Sequence, residues 1–162
     1  MSTYLRKWLL ATVVLVLAGC QARMIPMHNL YNQHVNGELG QAAIGEAIKS
    51  GAVSAGWRID AASESNMFAT YNIRAHTVVV NIGYSADRYS ILYRGSSHMK
   101  VKCGTRPDSG MKPKVTSSAS ACPGDTVPTQ IHENYKDWIE QLNRSISAAL
   151  QSACFADERC RS

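Results

Sequence analysis

With 162 residues the chain is long enough for one domain with a real core, and 45% hydrophobic content is ordinary for a globular protein. The formal charge is +5, from 17 Lys and Arg against 12 Asp and Glu. Two of those basic residues fall in a leader, so the remainder carries +3, too mild for the footprint of a nucleic-acid binder.

Arg6 and Lys7 form a short positive region, and residues 8–18 follow as an apolar run of 11. A membrane-spanning helix needs about 20. A run this short, behind positive charge and before small residues, reads as a secretory leader over residues 1–19. It ends in Leu17-Ala18-Gly19-Cys20, which resembles the bacterial lipobox: an aliphatic residue, two small residues, then the cysteine that becomes the mature N-terminus. The resemblance implies cleavage before Cys20 and acyl chains on its sulfur. One chain holds only marginally and several hold stably, so the protein is expected to be anchored to a membrane without spanning it. Gln21 stands where an Asp would favour the inner membrane, which points to the outer membrane, facing the periplasm.

Residues 20–36 mix Pro26, Asn29 and Asn32 with scattered apolar residues and read as a tether. Fully extended at about 3.3 Å per residue it would reach roughly 50 Å. His28 and His34 read as solvated linker histidines rather than a metal pair. One domain is expected over residues 37–151.

Residues 38–50 have helical spacing, with Leu39, Ala43, Ile44, Ala47 and Ile48 on one face, Asn36 as cap and Gly51 as stop. Gly56-Trp57-Arg58-Ile59-Asp60 is a short strand. Three strands follow at close spacing, each with one clearly apolar face: Met67, Ala69, Tyr71 and Ile73; then Val78, Val80, Ile82 and Tyr84; then Tyr89, Ile91 and Tyr93. Their short connections favour an antiparallel meander. Residues 131–150 form a second helix with one broad apolar stripe: Tyr135, Trp138, Ile139, Leu142, Ile146, Ala149 and Leu150. The expected fold is a two-layer α+β domain, in the order helix, four-stranded antiparallel meander, long disulfide-bracketed loop, helix.

That loop covers residues 104–129, with Pro107, Pro113, Pro123 and Pro128 and little apolar content. Residues 152–162 read as a C-terminal tail. Of five cysteines, removing Cys20 leaves an even set, and the oxidising periplasm favours disulfides. Four cysteines allow three pairings; pairing neighbours gives Cys103–Cys122 and Cys154–Cys160. Neither spacing is that of a zinc knuckle, so no metal is expected.

No stretch supplies a nucleophile elbow, a phosphate loop or a zinc-protease helix, and no cofactor is implied. His132-Glu133 lacks a second histidine. Ser96-Ser97-His98 puts hydroxyls beside an imidazole, but neighbours on a strand point opposite ways. A basic run is more suggestive: Arg94, Lys100, Lys102, Arg106, Lys112 and Lys114, with only Asp108 opposing. It reads either as contact with an anionic surface, such as lipid headgroups or acidic cell-wall groups, or as a loop kept soluble by its charge.

The strand Val78-Val79-Val80-Asn81-Ile82-Gly83-Tyr84, then Tyr89-Ser90-Ile91-Leu92-Tyr93, then Ile131-His132-Glu133-Asn134-Tyr135-Lys136-Asp137-Trp138-Ile139 resemble a family of small uncharacterised proteobacterial lipoproteins. The resemblance covers about residues 38–150 and implies no activity; the cysteine-bracketed loop departs from the compact pattern. His132 and Asn134 are expected to serve as turn or cap groups. The expectation is a non-enzymatic envelope lipoprotein, held to the membrane through Cys20 and binding an envelope protein, lipid headgroup or cell-wall ligand, with no nucleic acid. The alternative is a hydrolase or transferase acting on envelope material.

Overall fold

A computed structural model describes residues 23–35, 37–105, 122, 126–157 and 160. Cys20, Asn36, Arg106, Asp108, Lys112 and Lys114 lie outside the described residues.

The described residues form an α+β domain with two helices and two antiparallel sheets, of five and three strands. The expected meander forms the larger part of the first sheet: β3 (Arg58–Ala62), β4 (Asn66–Ile73), β5 (His76–Tyr84) and β6 (Arg88–Ser97) pair in sequence order. Alternation sets the register of each face. Met67, Ala69, Val78, Val80, Ile82, Tyr89 and Ile91 are all buried on one side.

Two helices cover that side. In α1 (Gln41–Ser54), Ile44, Ala47 and Ile48 are buried; in α2 (Asn134–Ala156), Tyr135, Ile139, Leu142, Ile146 and Leu150 are. These spacings put one stripe of each helix into the core and leave its charged residues outside. Removing a fully enclosed residue such as Leu142 leaves a cavity costing about 2–5 kcal/mol.

Gly51 does not stop α1. It is buried inside the helix, and a Cβ there would fall 2.6 Å from Cα of Ile146 in α2. The missing Cβ lets the backbone of α2 come this close. The chain turns at Gly56, whose φ of +82° favours glycine. Gly40 occupies the N-cap of α1, and the expected cap, Asn36, lies outside the described residues.

The segment expected to be a tether is instead part of the fold. β1 (Met24–Pro26) pairs with β8 (Val127–His132), and β2 (Leu30–His34) pairs with β6, adding a fifth strand beyond the meander. The three-stranded sheet runs β1-β8-β7, with β7 (Val101–Gly104) on the other edge. Its inward residues Ile25, Val101 and Ile131 pack against the same core. The expected loop is shortened at both ends, because Gly104 pairs with Val127. The expected C-terminal tail also shrinks: α2 continues to Ala156. Both disulfides, Cys103–Cys122 and Cys154–Cys160, are formed.

Candidate functional site

Of the six basic residues singled out in the sequence, the structure places three, and it divides them between the sheets. Arg94 lies on β6, with its guanidinium carbon 3.8 Å from the centroid of the Phe68 ring on β4. To get there its side chain crosses β5, the strand on which Asn81 pairs with Phe68 on one side and Leu92 on the other. Asn81 Oδ1 is buried without a hydrogen-bond partner. This is the sheet face opposite the helices, and the guanidinium is held by the ring's negative face.

Lys100 and Lys102 are exposed at the three-stranded sheet, across β8 from β1. Two backbone bonds fix this end: Glu133 N–H donates to the Arg23 carbonyl at 3.0 Å, and His132 N–H donates to the Lys100 carbonyl at 3.2 Å. Arg23, also exposed, and Lys100 thus flank β8, about 10 Å apart by strand spacing. None of the described carboxylates pairs with Arg23, Lys100 or Lys102.

The histidines have specific partners. His28 is not a solvated linker residue: its Nε2 is 2.8 Å from Glu140 Oε1 on α2. The Nδ1 of His132 accepts the N–H of Asn134 at 3.2 Å, satisfying a free donor at the start of α2, as a cap group does. Next to it, the Tyr93 N–H donates to Asn29 Oδ1 at 2.8 Å, tying the turn between β1 and β2 to β6.

Trp57, Tyr89 and Tyr135 belong to the core, and Tyr71, Tyr84, Tyr93 and Trp138 pack against it, whereas Tyr31 and Phe155 are exposed. Trp57 stacks on Tyr71 at 5.1 Å, and Tyr71 meets Trp138 at 5.6 Å; Tyr93 stands edge-on to Tyr135. Burial raises the pKa of the Tyr89, Tyr93 and Tyr135 hydroxyls above the ordinary phenol value, that of Tyr135 furthest. These hydroxyls stay protonated. Tyr89 donates to Asn143 Oδ1 at 2.7 Å, while the fully buried Tyr135 hydroxyl has no partner.

The carboxylates near the sheets are likewise engaged. Thr70 Oγ1 donates to Asp60, and Arg58 Nε donates to it at 2.7 Å. The Thr70 hydrogen bond is the main reason Asp60 stays ionised below the ordinary aspartate range, with Arg58 adding to it. Asp87 is held far below that range by Arg88 and then by Ser85. Ser96 Oγ lies 2.8 Å from the Tyr93 hydroxyl. Between the outer faces of α1 and α2 runs an open groove lined by small residues, among them Ala43, Ala47, Ser50, Ala149 and Ser152.

Among the described residues no helix is long and apolar enough to cross a membrane. Comparison with protein-family models, with curated proteins and with solved structures finds no match to the chain.

The sequence reading missed the partners of Arg94 and His28. Phe68 and Arg94 sit two strands apart, and Glu140 is 112 residues from His28; only the sheet order and the docking of α2 bring them together. Alternation did place Phe68 on the polar face of β4, which was the available signal.

Proposed function

We propose that the chain is an exported, membrane-anchored envelope lipoprotein of the outer membrane whose α+β domain is a non-enzymatic binding or structural module facing the periplasm. The resemblance to small proteobacterial lipoproteins belongs to the same proposal. One observation carries it: Leu17-Ala18-Gly19-Cys20 stands directly behind an 11-residue apolar run and a positive start. The even set of cysteines left after Cys20, joined in two disulfides, fits an oxidising compartment.

The module reading draws support from how the polar groups are used. Asp60, Asp87 and Glu140 are each engaged by a neighbouring cation or imidazole, and the interior phenols are held protonated by burial. What the domain offers outward includes exposed basic side chains with no carboxylate partner among the described residues, Arg23, Lys100 and Lys102 among them. Unpaired surface cations of this kind suit contact with anionic groups.

The test is metabolic labelling with palmitate and fractionation of the envelope. The wild-type chain should label and sediment with the outer membrane, and Cys20→Ala should lose the label and leave the membrane fraction. Labelling that persists in Cys20→Ala would sink the proposal.

A further inference from the structure

We infer that the outward face of the three-stranded sheet rests on the anionic headgroups of the same membrane that holds Cys20. This rests on the lipoprotein reading above and gives it a geometry and a partner.

The first argument is length. A 16-residue tether would have let the domain work tens of ångströms from the bilayer. The structure removes that tether, because β1 begins at Met24. At about 3.5 Å per residue, the four steps from Cys20 to Met24 span at most about 14 Å. Fixed charges are felt over about 8 Å at physiological ionic strength. An acylated Cys20 therefore holds the start of β1 within one to two screening lengths of the headgroups.

The second argument is what stands at that end of the sheet. Ile25, Ile131 and Val101 face the core, so alternation sends their neighbours outward. The register sets two rows: Met24, His132 and Lys100, then Pro26, Gln130 and Lys102. Exposed Arg23 lies just before β1, and the first turn of α2 adds exposed Lys136. Among the described residues, the acids in this part of the molecule outside an ion pair are Glu133 and Asp137, and Glu140 is held by His28. Four cations against two acids, around the half-buried Met24, suit a surface that is anionic outside and apolar beneath. Each Lys or Arg close to such a surface raises partition about fivefold.

The test uses the full acylated protein in vesicles, with a membrane-impermeant amine-acetylating reagent and peptide mass spectrometry. Lys49 is the reference: it is exposed on α1, next to Gly51, which meets α2 about 18 Å along the helix from Asn134. Rates are normalised to those in detergent. On phosphatidylethanolamine/phosphatidylglycerol vesicles, Lys100 and Lys102 should react at least fivefold more slowly than in detergent, and Lys49 should be unchanged. The protection should fall as salt rises. A 20-residue Gly-Ser insertion after Gln21 should abolish it on phosphatidylcholine vesicles and leave it on phosphatidylglycerol. Lys100 and Lys102 reacting at their detergent rates, with intact mass showing acyl chains on Cys20, would overturn the inference and leave the lipoprotein reading standing. An unmodified Cys20 would overturn both. Protection that survives the insertion on phosphatidylcholine would mean an apolar contact and overturn the assignment of anionic headgroups.

Discussion

The ring of His28 sits 2.8 Å from the carboxylate of Glu140, joining the turn between β1 and β2 to the outer side of α2. Both side chains are partly exposed, at 25% and 34%, so the pair is worth the modest energy of a surface contact. Its importance is positional, because the strands it braces are short. His28→Ala should lower stability by about 0.5–1 kcal/mol. It should also speed amide exchange in Met24–Pro26 more than in β5. A double-mutant cycle with Glu140→Gln in urea unfolding measures the coupling. A cycle with no coupling would show that backbone pairing alone holds the segment.

At Gly51 two effects of opposite sign compete. In an exposed helix Gly→Ala gains about 1 kcal/mol from backbone entropy. Here the added Cβ would meet Cα of Ile146 at 2.6 Å and the Ser145 carbonyl oxygen at 2.7 Å. Backbone atoms do not move aside as a side chain does, so overpacking prevails, at about 1–3 kcal/mol. Gly51→Ala should therefore destabilise the domain in denaturant titration, and a gain in stability would show that the helices can separate freely.

Trp138 is half-buried, packed on Tyr71, which in turn stacks on Trp57. Full burial would put Trp138→Ala at about 3–5 kcal/mol; with the side chain half-buried, about 2–3 kcal/mol is expected. Near-ultraviolet circular dichroism should change in the same variant, since the three rings are in contact. Loss of stability without a spectral change would contradict the contact.

The meander was legible because each of its strands repeats an apolar residue at every second position over a length that matters: Val78, Val80 and Ile82 are all fully buried. The α2 stripe was legible for the same reason at helical period. The strands that escaped notice are those whose existence depends on a partner. Leu30–His34 alternates poorly, carries a bulge and becomes a strand by pairing with β6. Val127–His132 begins with Val127-Pro128, and proline argues against a central strand; it is accommodated because Pro128 sits at the irregularity opposite Cys103. Gly51 reads the same in sequence whether it ends a helix or lets another approach. The candidate site met the same limit: Lys100 and Lys102 were visible as charge, but their place beside Arg23 follows from the β1-β8-β7 order.

Asp60 gives a pH signature. Its hydrogen bond from Thr70 depresses the folded-state value, so the stability it contributes is present above the ordinary aspartate range and is lost as pH falls through the folded value. Thr70→Val keeps the shape and removes the donor. The Asp60 carboxyl should then titrate closer to an ordinary aspartate, with Arg58 still holding it somewhat low. The stability gap between the two proteins should be widest at neutral pH and shrink below about pH 4. Carbon-detected titration of Asp60 checks the first statement and acid unfolding the second. A gap independent of pH would mean that Thr70 acts through packing.

The two disulfides should contribute unequally. A cross-link stabilises mainly by restricting the unfolded chain, and the restriction grows with the logarithm of the loop it closes. Cys103–Cys122 spans 19 residues and Cys154–Cys160 spans 6. The loop estimate gives about 3 kcal/mol for the first and about 2 kcal/mol for the second. Native contacts differ between the two: Cys154 and Cys160 pack at the edge of the core, whereas Cys103 is an exposed position on β7 and Cys122 is buried outside the core cluster. Cys103→Ser/Cys122→Ser should therefore lower stability by more than Cys154→Ser/Cys160→Ser only if chain entropy dominates. The first pair should also loosen the β7 amides and leave the five-stranded sheet protected, because β7 is an edge strand of the other sheet. Urea unfolding of the two double variants, with hydrogen exchange on each, decides it. A larger loss for the Cys154 and Cys160 pair would show that packing at the end of α2, rather than the length of the closed loop, sets the value of the cross-link.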